Sequence, residues 1–192
     1  MSNPNAPAFA TPSYLAGDAY SLLTTSDHFQ VKSGATVASG VLVNAGGTSS
    51  AISLYDGTSA TVTMTIASPG VITWTGHPFV AGGAAQFTTT GALPTGLTAG
   101  TTVYVSINGL TANTFEVADT HAHALAGTNT INTSGSQSGV HTGWDVTRLI
   151  ATLPTTSIVN LPIGNNGALA TSGLIAITTD GGGASSETVL YR

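Results

Sequence analysis

Cysteine is absent from the 192-residue chain. That removes disulfides and thiolate metal sites as sources of stability. Charge is scarce as well: Asp, Glu, Lys and Arg make up 6% of the residues, against roughly 25% in an ordinary soluble domain. Lys32, Arg148 and Arg192 are the only Lys or Arg residues, and the net charge is −5. Neutralising phosphates takes Lys and Arg, so nucleic acid is not an expected partner. The sequence has no amphipathic basic helix to lie on a membrane and no apolar run of about 18 residues to span one, so a membrane is not expected either. MSNPNAPAFATPSYLAGDAY lacks the charged and apolar regions of a secretory signal and is not expected to be one. Helical periodicity is missing beyond about two turns, where a globular helix averages about three.

What remains is β-forming sequence. Hydrophobic residues make up 41%, enough to bury a core, and the chain lacks the low hydrophobicity and high net charge of disorder. The surface must be wetted by Thr, Ser, Asn and Gly. Such a surface suits burial against other chains, since free solubility favours interspersed charge. It also suits the Thr/Ser/Gly-rich β-proteins of extracellular settings.

Taken in order, residues 1–32 read as an extended N-terminal arm, because Pro4, Pro7 and Pro12 fix φ and remove donors. A short strand is expected at His28–Val31. Gly34–Asn44 and Ala51–Asp56 alternate with period 2 and read as an antiparallel pair. Asp56-Gly57 marks a turn. From Ala60 to Thr142 follow candidate strands at Thr61–Ala67, Val71–Thr75, Ala84–Thr89, Thr101–Ile107 and Thr114–Ala118. Gly- or Pro-containing connectors separate them, the spacing of a small barrel or sandwich. After it come strands at Asp145–Leu153, Gly173–Thr179 and Glu187–Tyr191. The last two are expected to pair across the Gly-rich turn at residues 180–183.

The fold class expected is therefore all-β. A small antiparallel sandwich or barrel, residues 33–59 plus 143–192, is split by a second small β-unit, residues 60–142. Insertion at an exposed hairpin tip costs little, since loop-closure entropy grows slowly with length.

Two resemblances attach to these parts. His77-Pro78-Phe79 with Gly82 and Gly83, Phe87, GALPTGL at Gly91–Leu97, TTVYV at Thr101–Val105, ANTFEV at Ala112–Val117 and INTSGSQSG at Ile131–Gly139 follow one another in order. The stretch resembles a small module of tail, head and fibre proteins of tailed bacteriophages, with Pro78-Phe79 where that pattern has Gly-Leu. The flanks, VLVNAGGTSSAISLYDGTSA and LPIGNNGALATSGLIAITTDGGGASSETVLYR, are similar to small β-domains of phage capsid-associated proteins. The resemblance implies a structural virion component, a capsid decoration (cement) protein that is not an enzyme. It would be made in the host cytoplasm and seated on the capsid exterior as a homotrimer. Its partners would be the major capsid protein or other virion proteins. The alternative is a tail, fibre or head-spike protein that binds host-surface glycans through the inserted unit, with the His121–His123 loop and Trp144 as candidates. Pro4, Pro7, Phe9, Pro12, Tyr14, Leu22, Leu23 and Phe29 are the candidate assembly contacts.

No motif calls for a cofactor. Read as a strand, H-x-H puts His121 and His123 on one face, where His141 or Asp119 could complete a metal site. The segment is polar and loop-like, and no metal is assigned. His77 reads as a turn residue, packing near Trp74 or capping a backbone carbonyl. Trp74, Phe79, Phe87, Tyr104 and Phe115 fall on or beside expected strands and read as core rather than as a sugar-stacking platform. The eight carboxylates, Asp18, Asp27, Asp56, Glu116, Asp119, Asp145, Asp180 and Glu187, show no paired acid-base spacing. Ser134–Gly139 lacks the strand-then-helix setting of a nucleophile turn. Arg148, inside a strand, is expected to pair with a carboxylate.

Overall fold

The computed structural model describes residues 19–23, 27–45, 50–157, 160–163, 167–179 and 186–192. The expected contacts Pro4, Pro7, Phe9, Pro12 and Tyr14, and the turn at residues 180–183, lie outside them, as does the Leu22 side chain.

The elements in chain order are β1 (Ala19–Leu23), β2 (His28–Ser33), β3 (Thr36–Ala45), β4 (Ala51–Asp56), β5 (Ser59–Met64), β6 (Ile72–Thr73), β7 (Ala84–Thr89), β8 (Val103–Val105), β9 (Thr114–Phe115), β10 (Val117–Ala118), α1 (His121–Ala126), β11 (His141–Asp145), β12 (Arg148–Pro154), β13 (Asn160–Pro162), β14 (Ala168–Ala170), β15 (Gly173–Thr179) and β16 (Ser186–Tyr191). The protein is all-β apart from one short helix among the described residues, and every strand pairing described is antiparallel.

Two sheets form a sandwich. One runs β1-β16-β3, with β13 and β14 both pairing β3, and the other runs β12-β4-β15-β2. Between them lies a core that includes Val41 and Val43 of β3, Ile52 and Leu54 of β4, Leu174 and Ala176 of β15, and Val189 of β16. Alternation explains the side chains: in β4 the even-numbered residues are buried and the odd ones half-buried, as a pleat with one face on a core requires.

Two expected pairings differ. β3 and β4 lie in opposite sheets, and so do β15 and β16. Ile52 and Leu54 meet Val41 and Val43 within the core between the sheets rather than beside them in one sheet. Period 2 fixes which face is apolar and leaves the neighbour open. The expected arm also ends early, because β1 pairs β16 and β2 pairs β15. Leu23 is buried in the core, and Phe29 packs against it. These two proposed assembly contacts are therefore used within the chain.

The second unit is a curled sheet, ordered β10-β8-β7-β11-β5-β6-β9. Its two outermost strands, β9 and β10, are the halves of one run, Thr114–Ala118, interrupted at Glu116. The sheet therefore comes back on itself and nearly closes, leaving little edge. Inside are Phe87, Phe115, Val105 and Val117, each 1% exposed or less, with Trp74, Phe79 and Leu97. The Ser134–Gly139 segment seals one side through bridges from Ser134 to Thr95 and from Ser138 to Ala92.

The two units share a double connection. β4 pairs β12, with Asp56 opposite Arg148, and the chain then runs directly into β5 and β11, which pair with Ala60 opposite Gly143. The expected single strand Asp145–Leu153 is thus two strands, β11 in one unit and β12 in the other. The break falls at Val146-Thr147, where the Val146 amide donates to the Ala84 carbonyl (3.0 Å). At the crossing the Gly57 amide donates to Gly173 and the Asp145 amide to Thr58. A Cβ on Gly57 would overlap the Asp145 carbonyl oxygen, so this close approach requires glycine.

Candidate functional site

The histidines do not assemble. Thr120-His121-Ala122-His123 begins a helix because Thr120 caps it, its hydroxyl accepting from the His123 amide (3.2 Å), while Gly127 ends it at φ 65°. At about 100° per residue, His121 and His123 point to different sides, which corrects the single face expected of a strand. His121 meets Tyr104 edge-on. His123 Nδ1 lies 2.6 Å from Asp119 Oδ1, and Asn129 donates to Asp119 Oδ2 (2.8 Å). The His123 bond, with Asn129, holds the Asp119 carboxyl below its ordinary value. His141 is buried on β11, bonded to Thr89 (2.8 Å) and Gln137 (3.0 Å). Among the described residues no group of three or more His, Asp or Glu side chains comes together around a point where a metal could sit. His77 lies tilted against Phe79 and meets Phe115 edge-on, at 5.7 and 5.0 Å between ring centroids. Phe79 in turn meets Trp74 edge-on within the core.

The seam between the units gathers more chemistry. β15 is buried on both faces: Leu174 and Ala176 turn into the sandwich, while Ile175 and Ile177 turn outward onto Trp144 and Val146, with Tyr55 and Ala84 beside them. Trp144 is 8% exposed and its indole N–H donates to Thr88 (2.9 Å). It is a packing residue of the seam, not the exposed glycan contact expected from sequence.

On one side of the seam stand Asp56, Asp145 and Arg148. Burial pushes Asp56 upward, but the Thr171 hydroxyl (2.9 Å), the Ser172 amide (2.8 Å) and Arg148 (2.9 Å) outweigh it and hold the carboxyl below its ordinary value. Arg148 also donates to Thr171 and Ser172 through the same nitrogen, Nη2. Asp145 moves the opposite way: burial raises its carboxyl despite the bond from the Thr147 amide (3.0 Å). A raised and a lowered carboxylate side by side can mark an acid-base pair. Here Asp56 is enclosed by its donors and does not line the adjacent cleft of about 290 Å³, whose wall includes Phe79, Val80, Asp145, Arg148 and Ser172. The pair reads as a clasp between β4, β12 and the β14–β15 turn.

On the other side is a cleft of about 400 Å³, between the outer face of the β4–β15 sheet and the barrel-like unit. Its sheet wall includes Tyr55 and Ile177, with Asp27, His28, Gln86 and Thr88 also in the lining. His28 Nε2 bonds Gln86 Oε1, and Gln86 donates its amide to Thr102 (2.8 Å). Asp27 Oδ1 accepts from the His28 amide (2.7 Å). No local pattern marks these residues, because they come from four distant segments, each ordinary on its own. The nearest signal was the outward odd-numbered face of β4, Ser53 and Tyr55, which alternation does expose.

No protein-family model, no curated protein and no solved structure matches the chain.

Proposed function

We propose that the protein is a structural, non-catalytic component of a tailed-phage virion, a decoration (cement) protein seated on the capsid exterior. The sandwich would meet the major capsid protein, and the barrel-like unit would be displayed. Homotrimers at local threefold positions are part of the same reading. It rests on the order of motifs in the sequence. The observation that carries it in three dimensions is the mounting of the second unit. That unit is entered and left through two paired strands that continue a hairpin of the sandwich, and it is sealed by Trp144, Val146, Ile175 and Ile177. Two paired connections and a packed seam restrict how the unit can turn, which suits display on a shell. A seated protein stabilises a shell because it binds the assembled state and not the free subunits.

The test is co-sedimentation of the purified protein with heads of the encoding particle that lack it. Saturable binding with a raised temperature of head disruption is expected. Protein that stays in the supernatant, with disruption temperature unchanged, would sink the reading.

A further inference from the structure

We propose that the cleft between the β4–β15 sheet and the barrel-like unit is a binding site for a neutral saccharide. Four observations support it.

The first is size: about 400 Å³ lies within the usual range of small-molecule sites, about 300–1,000 Å³. It suits one or two sugar rings. The second is the wall. Tyr55 and Ile177 set one aromatic and one aliphatic side chain among the hydroxyls of Ser53, Thr178 and Thr179, and a pyranose offers C–H groups to the former and hydroxyls to the latter. The third is the fixed polar rim. His28 and Gln86 hold one another across the seam, Thr102 holds Gln86, and the Trp144 indole holds Thr88. These side chains are oriented before any ligand arrives, so little ordering entropy is lost on binding. The fourth is what is left over. Asp27 uses Oδ1 on the His28 amide, and its side chain is 60% exposed. Its second oxygen can accept from a hydroxyl. The Tyr55 hydroxyl has no bond among the described residues and can both donate and accept.

The charge pattern narrows the class. Among the described residues, Asp27 is the only Asp, Glu, Lys or Arg lining the cleft. An acidic sugar would bring a second negative charge into it, which is unfavourable. Hydroxyl-rich neutral rings satisfy both the acceptor and the mixed wall. The site needs both units, since Tyr55 and Asp27 belong to one and Gln86 and Thr88 to the other. It stands apart from the shell-binding reading: head binding can fail while saccharide binding holds, and the reverse.

The test is NMR titration of the isotopically labelled full chain. The probes are methyl glucoside, methyl galactoside, N-acetylglucosamine and lactose, with glucuronate and sialyllactose as acidic counterparts. At least one neutral probe is expected to shift the Tyr55 and Ile177 signals saturably, with a millimolar Kd, and the acidic probes to bind at least tenfold more weakly. Asp27→Asn, a surface change that leaves the fold in place, is expected to weaken binding about tenfold. Tyr55→Phe tests the hydroxyl, and Tyr55→Ala is expected to remove binding altogether. The proposal is overturned if no neutral probe shifts these signals, if acidic probes bind as well, or if both Asp27→Asn and Tyr55→Ala bind like the parent.

Discussion

Gly57→Ala tests the crossing of the two connections directly. Gly57 does not have a positive φ, so an L-residue is permitted there by backbone conformation. The obstacle is contact. An added Cβ would overlap the Asp145 carbonyl oxygen and stand 3.1 Å from its carbon and 3.2 Å from Ile175 Cδ1. The obstructing atoms are mainly backbone, so a rotamer change cannot relieve them. Ordinary C···O approach is about 3.3 Å, and one connection must move by on the order of 1 Å. Overpacking of this kind costs about 1–3 kcal/mol. The shift also strains the Gly57–Gly173 and Asp145–Thr58 hydrogen bonds, at 3.0 and 2.9 Å, each worth about 1 kcal/mol. The total is about 3–5 kcal/mol, a lowering of Tm by about 6–20 °C for a chain of this size. Gly34→Ala is the control. Gly34 has φ +75° with nothing within 4 Å of an added Cβ. There the left-handed conformation alone costs about 1–2 kcal/mol, reduced by the lower entropy of the unfolded chain. Thermal unfolding by circular dichroism measures both, and emission from Trp144, next to Asp145, should shift only in Gly57→Ala. A Gly57→Ala loss no larger than that of Gly34→Ala refutes the reasoning.

Asp145→Asn tests the buried carboxyl. Its raised pKa means the folded chain holds the proton more tightly than the unfolded chain does. The associated stabilisation is full below the ordinary value of about 3.9 and is lost as pH rises through the raised one. The variant keeps an acceptor for the Thr147 amide, so urea unfolding from pH 4 upward should show a flatter decline; an unchanged slope contradicts the assignment. Asp56 carries the opposite sign, with stabilisation present above about 3.9 and lost as pH falls through its lowered value. Asp56→Asn should therefore flatten the acid limb of the same profile. Phe115→Ala, at a fully buried ring in the barrel-like unit, should cost about 3–5 kcal/mol. Val140→Ala, at a side chain 53% exposed, should stay within about 0.5 kcal/mol in the same urea series.

The β character of the chain was legible because alternation reports burial residue by residue, as Ile52, Leu54, Val62 and Met64 show. β15 was legible too, in its own way: GLIAITT does not alternate because both of its faces are covered. Partner choice was not legible. A strand has the same pattern whether its neighbour in sequence lies beside it or across the core, so alternation does not distinguish the β3–β4 pair expected from the opposed sheets observed. Asp145–Leu153 reads as one strand because no Gly or Pro interrupts it at Val146 and Thr147. The break there is imposed by Ala84, 62 residues away in sequence. The helix was written in local capping chemistry, Thr120 before and Gly127 after. The H-x-H spacing drew the reading toward a strand instead. The seam clefts were out of reach of any local pattern, because Asp27, Tyr55, Gln86 and Ile177 meet only once both units are folded and docked.

The double connection has a mechanical consequence. A pull on the barrel-like unit reaches the sandwich through β4 and β12 together, along their own axes. β12 is an edge strand bonded only to β4 among the described strands, so the load passes to the ladder between β4 and β15, which runs from Asp56 opposite Leu174 to Ala51 opposite Thr179. That ladder would be loaded in shear, with its bonds sharing the force and failing together rather than opening one at a time from an end. A body held this way behaves as a bracket rather than a tether, and drag on the displayed unit would be carried into the sandwich core.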